Sequence, residues 1–361
     1  MRRAKGRFGL LAAAVGVLVF LVVFQQAILG GLVTEFVGAI RNQSADVIVY
    51  GEDARVNLQG SVVAPGAVDE VAALDGVASA APLGVATITV EHDGELVDAT
   101  LFGHVLGGPG EPQDVNEGRR PERDGEAIAS ADFAVGERVV VQPGGEELTV
   151  VGTAEESSFS VTPTLFASYA TYEAVQLSTN PDAPAVVPSA VAVQVEDGAE
   201  AGEVAARITS TVDGVEGATR QRAADEAPGV ESVTQSFSVI LLLTYVVATI
   251  VIGFFFLILT VQKRATLTLL RAIGAPAGKL LGALAVQVVA VVGGGLVIGT
   301  ALAALALRSS SSGISAGIQP SALATTVVAM LVLAIVACIG AGRRILRIDP
   351  SAATLPGAGT R

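Results

Sequence analysis

The chain has 361 residues, 51% of them hydrophobic, no tryptophan and a formal charge of −13. Its mean hydropathy of +0.60 is an average that soluble domains rarely reach, so the membrane class is the starting point. The acidic balance argues against a nucleic-acid partner, and the one cysteine, Cys338 in an apolar run, excludes a disulfide framework.

The first element predicted is a membrane helix. Residues 1–7 carry Arg2, Arg3, Lys5 and Arg7, and an uncharged run, Phe8 to Thr34, follows. The competing reading is a cleaved signal peptide, but the apolar stretch exceeds the usual core of roughly 7–15 residues and no convincing cleavage site follows it. An uncleaved span over 8–33 is the favoured reading, being longer than the roughly 20 residues a bilayer requires.

Residues 34–236 are long enough to form a domain with its own core, and they read as mixed α/β. ADVIVYG (Ala45–Gly51) has strand character. TITVEHDGELVDATLFG alternates apolar and polar residues around His-Asp-Gly and predicts a hairpin, and ERVVVQPGGEELTVVGTAE repeats the pattern around Pro143-Gly144-Gly145. TLFASYATYEAV predicts a strand leading into a helix. Two segments resemble each other: AVDEVAALDGVASAAPL (Ala67–Leu83) and EAGEVAARITSTVDGVEGATR (Glu200–Arg220) each predict an amphipathic helix, an Asp-Gly-Val turn and a strand.

No catalytic pattern stands out in this domain. His92 and His104 are the only histidines, and neither has a second histidine or a cysteine at metal-ligand spacing; Glu91 and Asp93 read as solvated turn residues. Ser157–Ser160 lacks the flanking glycines of a nucleophile elbow.

Three further uncharged runs predict spans over 237–261, 280–307 and 321–342, separated by a loop at 262–279 and a short loop at 308–320, with a tail at 343–361. The N-terminus, the 262–279 loop and the tail hold twelve basic residues against one acid, Asp349, whereas 34–236 has nine arginines against 34 acids, a net of −25. The positive-inside rule places both termini and the 262–279 loop in the cytoplasm, and 34–236 with 308–320 outside. The fold class expected is thus an α-helical membrane protein of four transmembrane helices, with a large mixed α/β extracytoplasmic domain between helices 1 and 2. None of the four runs holds a charge, which leaves an ion-coupled carrier without a relay. Gln25, Gln26 and Gln287 read as groups that bond across helices, and Gly295, Gly299 and Ala303 form a small-residue stripe that packs on a helix of this chain or of a partner.

The 262–279 loop carries Lys263, Arg264, Arg271 and Lys279, with Leu267, Leu270, Ile273 and Leu280 at helical spacing and a break at Gly274-Ala275-Pro276. Topology explains the charges; the apolar face points to a docked partner. GAPAGKL is not a phosphate-binding loop, because Gly274 and Gly278 enclose three residues and Leu280 follows the lysine.

LLRAIGAPAGKLLGALAVQ, arriving straight from a membrane helix, resembles the signature of the FtsX-like permease family, which includes the MacB-type and LolCE-type transmembrane subunits of ABC systems. Arg264, Leu269, Leu270, Arg271, Ala272, Ile273, Gly274 and Ala275 carry the match, and the tail RRILRIDPSAATL adds Arg343, Arg344, Arg347, Asp349, Pro350 and Leu355. Thr266 and Gln287 stand where the family often has glutamate. The resemblance implies a subunit without catalysis of its own, its cofactors, ATP and magnesium, being held by two copies of a cytoplasmic ATPase. It further implies a second permease chain, with a homodimer expected, in a bacterial inner membrane, and leaves an extracytoplasmic partner open. Arg264, Leu270, Arg271, Ala272, Gly274, Ala275 and Lys279 would form the ATPase-coupling site. TEFVGAIRNQ and PGVESVTQSFSV would be stalks to an outer domain that moves when ATP binds, for export or extraction of a lipid, lipoprotein or peptide or for control of a cell-wall enzyme. The alternative is a membrane-anchored signalling or scaffold protein with a ligand-binding outer domain and no ATPase.

Overall fold

The computed structural model describes residues 2–92, 94–130, 132–183, 185–262, 277–309 and 319–346. It divides into two units, Gly31–Thr234 and Met1–Gly30 with Gln235–Arg361.

The elements of the first unit follow α1 (Arg2–Arg41), which contributes to both units. They are β1 (Val47–Gly51), α2 (Pro65–Ala72), β2 (Val77–His92), β3 (Glu95–His104), β4 (Glu117–Gly118), β5 (Glu126–Ala129), β6 (Arg138–Gln142), β7 (Glu147–Thr153), β8 (Thr164–Ser168), α3 (Tyr169–Thr179), β9 (Ala190–Val195), α4 (Ala201–Thr211), β10 (Val215–Thr219) and α5 (Arg220–Asp225). The strands run in the order β10-β1-β9-β2-β3-β8-β5-β7-β4, with β6 against β2 and β7.

The two similar segments lie in one half of this domain. Each passes from helix to strand through an Asp-Gly-Val turn whose glycine, Gly76 or Gly214, has φ of +89° or +77°, the left-handed conformation glycine adopts without a Cβ clash. All pairings in β10-β1-β9-β2 are antiparallel, so β1 runs parallel to β2 and β9 parallel to β10. The half is therefore two split βαβ units, β1-α2-β2 and β9-α4-β10, interleaved as in a ferredoxin-like sheet. Val71 of α2 and Val204 and Ile208 of α4 bury against Val47, Val49, Val191 and Val193. The Arg207 guanidinium of α4 donates to the Asp75 carbonyl, joining the helix of one repeat to the turn of the other.

The other half is inserted between β2 and β9. Up to Leu83, β2 pairs with β9; from Gly84 it pairs with β3, and near its end also with β6. Both predicted hairpins form. In the first, His92 pairs with Glu95, so this histidine is the last strand residue and the turn is tighter than His-Asp-Gly; Gly94 has φ +81°, and Asp93 lies outside the described residues. Ser168 caps α3 by accepting from the Thr171 N–H at 3.1 Å. Tyr172 on that helix presses its ring against Gly84 and Gly103, where any Cβ would collide with it.

The second unit contains α6 (Val230–Gln262), α7 (Ala277–Ser309) and α8 (Pro320–Leu346) with the start of α1. Gly9–Arg41, Val230–Phe255 and Val289–Arg308 are long and apolar enough to cross a membrane. The fourth expected span falls in α8, 27 residues long, whose apolar stretch among the described residues is Pro320–Val336.

Replacing Ile208 by Ala should destabilise the ferredoxin-like half by about 2–5 kcal/mol, the cost of an unfilled core site. Denaturant-dependent hydrogen exchange on the full chain in detergent would show the loss in peptides from β1, β9 and β10.

Candidate functional site

The expected coupling residues Arg264, Leu270, Arg271, Ala272, Gly274 and Ala275 lie outside the described residues. Lys279 falls in the first turn of α7. The functional geometry that the structure does display belongs to α1, in each unit separately.

In the helical unit, Val15, Val19, Val22 and Val23 of α1 are buried with Ala248 and Ile252 of α6, Val292, Leu296 and Ala303 of α7, and Met330 and Ala334 of α8. The small-residue stripe lies against α1 of the same chain. A Cβ at Gly295 would stand 2.5 Å from Val15 Cγ1, one at Gly299 would stand 2.6 Å from the Gly16 carbonyl, and one at Gly16 would stand 2.9 Å from Ile298 Cγ2. Backbones this close gain dispersion that larger side chains would forbid. Gln26 Oε1 lies 2.7 Å from the buried Thr326 hydroxyl of α8, and Gln25 Oε1 lies 3.4 Å from the Thr244 hydroxyl of α6. Adjacent glutamines thus reach two different helices, a use of polar groups suited to a medium without water.

In the domain, the last turns of α1 are clamped backbone to backbone. Ser160 N–H donates to the Phe36 carbonyl at 3.0 Å, Val161 N–H to the Glu35 carbonyl at 2.9 Å, and Ala39 N–H donates to the Ser158 carbonyl at 3.0 Å. Gly38 permits this: a Cβ there would overlap the Glu156 carbonyl. The Asn42 amide donates to that same carbonyl at 2.6 Å. Glu156, Ser160 and Val161 all have φ between 52° and 61°, and a β-branched valine in the left-handed region is strained. Beyond the helix, Gln113 N–H donates to the Asn42 carbonyl at 2.7 Å, and the Arg220 guanidinium donates to the Gln43 carbonyl at 2.6 Å. The start of α6 joins the same region, since Gly229, at φ +87°, sits where a Cβ would be 3.0 Å from the Phe36 ring. Sequence reasoning saw in Ser157–Ser160 only a failed nucleophile motif. A glycine within the predicted stalk TEFVGAIRNQ was the available signal, because glycine weakens a helix unless something approaches it closely.

Charge inside the domain is paired. Glu126 accepts from Arg119 at 2.6 and 2.8 Å, from Arg123 at 2.8 Å and from the Glu122 N–H at 3.0 Å. The Arg119 bonds above all hold its carboxyl well below the usual carboxylate range. His92 Nδ1 lies 2.5 Å from Glu137 Oε1. His104 is fully buried at the end of β3 with Nδ1 3.2 Å from the Val105 carbonyl, and burial lowers its pKa to about 4. Among the described residues no group of three or more His, Cys, Asp or Glu side chains could hold a metal ion.

Residues 8–211, more than half of the chain, match the family described as MacB-like periplasmic core domain, and residues 238–350 match the FtsX-like permease C-terminal family. The chain belongs to the FtsX/MacB-type family of ABC transporter permeases. An uncharacterised ABC transporter permease of Mycobacterium bovis is 25% identical over 291 residues, covering 79% of this chain and 76% of the relative. One of Mycobacterium tuberculosis is 24% identical over 323 residues, covering 87% and 85%. Among solved structures, the periplasmic region of MacB from Actinobacillus actinomycetemcomitans aligns with TM-score 0.36 at 10% identity, covering 50% of this chain and 92% of that one. The extracellular domain of the transporter YknZ from Gram-positive bacteria gives TM-score 0.32 at 15% identity, covering 48% and 99%. The assignment rests on the sequence families. As an FtsX/MacB-type permease, the protein is a cell-membrane protein with an extracytoplasmic domain, and membership implies a partner ATPase subunit.

Two outcomes are expected. Gly299→Leu in this permease should disrupt α1–α7 packing and lower the Tm of the detergent-solubilised chain by several degrees, with Val297→Leu on the exposed face near neutral. The unfolded His104 takes up a proton near its usual pKa of about 6.5 and the folded one only at about 4, so stability falls as pH drops through that window. His104→Gln should flatten the dependence of Tm on pH between those values, read by circular dichroism.

Proposed function

We propose that this permease couples ATP hydrolysis by a separate cytoplasmic ATPase to movement of its extracytoplasmic domain. The observation that carries the proposal is the double hold on α1. One continuous helix, Arg2–Arg41, is packed backbone-close at Gly16 in the helical unit and clamped backbone to backbone at Gly38 in the domain. Such a helix would be the element that carries a displacement to the domain.

The arrangement proposed has four spans, with α8 as the fourth, both termini and the 262–279 loop in the bacterial cytoplasm, and 34–236 outside. Two copies of the chain would sit on two ATPase subunits, which hold the ATP and magnesium; this chain supplies no catalytic group. Arg264, Leu270, Arg271, Ala272, Gly274, Ala275 and Lys279 would be the docking surface, basic and apolar together. The output would be export or extraction of a lipid, lipoprotein or peptide, or control of a cell-wall enzyme.

Co-purification from native membranes tests this. Tagged wild type should bring down an ATP-hydrolysing subunit, and the double variant Arg271→Glu with Gly274→Trp, still inserted and folded, should lose it. If wild type captures no ATPase, coupling is wrong and a scaffold or signalling role takes its place.

A further inference from the structure

The extracytoplasmic domain contains a cavity of about 340 Å³ between its two halves. Its floor is Val85, just past the point where β2 leaves one half-sheet for the other, and Ser189 Oγ secures it by accepting from the Val85 N–H at 3.0 Å. One wall is the segment through Gln59 and Val62, another is α3 with Gln176 and the following Asn180, and the third is the run up to Ser189. Clefts between halves of a domain are preferred ligand sites, and this volume lies at the lower end of their range of roughly 300–1,000 Å³.

The lining is chemically selective. No residue in it is charged, although the surrounding segment carries 34 acids, so the group recognised is neutral. Gln59 and Asn180 present carboxamides, each both donor and acceptor, which complement amide groups, and Gln176, whose Nε2 donates to the Tyr172 hydroxyl at 3.4 Å, adds its amide oxygen. The Ser61 and Ser189 hydroxyls are already engaged with Gly51 and Val85. Tyr172 is 2% exposed, with its ring against Gly84 and Gly103, so no aromatic face is left on which a sugar could stack. The wall Ala185–Val187 lies outside regular secondary structure, and among the described residues none of its N–H groups donates to another backbone carbonyl. Pro188 biases Val187 toward extended backbone. The N–H groups of such a run can donate to the carbonyls of an extended segment laid beside it. Val62 and Val187, 64% and 37% exposed, offer an apolar seat for a small aliphatic side chain.

We propose that this cavity binds a short, uncharged, extended peptide segment with small aliphatic side chains. With no charge to meet a free terminus, the segment is internal to a longer polypeptide. The site stands on the cleft alone and is independent of how the permease meets its ATPase.

The test uses the full chain in lipid nanodiscs and a photo-crosslinking probe, acetyl-alanyl-photoleucyl-alanine amide, with mapping by mass spectrometry. Labelling is expected on the segments at 59–62 and 176–187. It should be displaced by acetyl-Ala-Val-Ala-amide but not by zwitterionic Ala-Val-Ala or by N-acetylglucosamine. Gln59→Leu with Asn180→Leu, both at exposed positions, should weaken binding about tenfold, the loss expected for two neutral hydrogen bonds, with thermal unfolding unchanged. Labelling spread over the domain, or equal displacement by the sugar, overturns the proposal. Equal displacement by the zwitterion overturns the internal-segment assignment. If the double variant fails to fold, the competition on wild type decides.

Discussion

The end of α1 is tied to the extracytoplasmic domain by a backbone clamp on the loop at 156–161. Helical carbonyls at Glu35 and Phe36 and the N–H of Ala39, groups an α-helix ordinarily pairs within its own ladder, also meet the loop at 156–161. Such contact needs a helix surface with no side chain at the crossing, which Gly38 provides, and a loop bent to present its own backbone, which the left-handed Glu156, Ser160 and Val161 provide. The strain in that loop is sustained by anchoring. Thr164 Oγ1 accepts from the Phe159 N–H at 2.9 Å, and the Phe159 ring packs edge-on to Phe102 at 5.3 Å.

The domain beyond the clamp is two small sheets sharing one long strand. β2 has 16 residues, several more than a strand usually has, because it serves both halves in turn. Its midpoint is crowded: Gly84 and Gly103 make room for the Tyr172 ring, which seats α3 on the inserted half, while Ser189 ties the returning chain to Val85. The cavity is a consequence of this joint. The residues facing the hollow beside that strand are uncharged, amides, serines and small aliphatic side chains with Tyr172, rather than the acids that cover the rest of the domain.

Electrostatics follows a simple division. Most acids of the domain are exposed and solvated, and the few that are buried, Glu126 and Glu111, are held by Arg119, Arg123 and Arg120. Nine arginines among 34 acids leave little basic charge for other tasks, and a large share of it closes these internal pairs. A buried carboxylate without such a partner would cost several kcal/mol, of the order seen when one member of a buried pair is removed.

Membrane class, the mixed α/β character of 34–236, both hairpins, the strand–helix unit at 164–179 and the repeated helix–turn–strand segments were legible in the sequence, because each rests on local signals: hydropathy over a bilayer's thickness, alternation, and glycine at a left-handed turn. The family was legible from the residues around Arg271, and the matches at 8–211 and 238–350 show it. The interleaving of the two repeats in one sheet, the sharing of β2, the clamp at Gly38 and the cavity beside Val85 were not. Each depends on residues more than a hundred positions apart, such as Gly38 with Glu156, Val85 with Ser189 and Val47 with Thr219. A glycine in a sequence announces that a side chain is missing; only the tertiary fold decides which backbone comes to occupy the space.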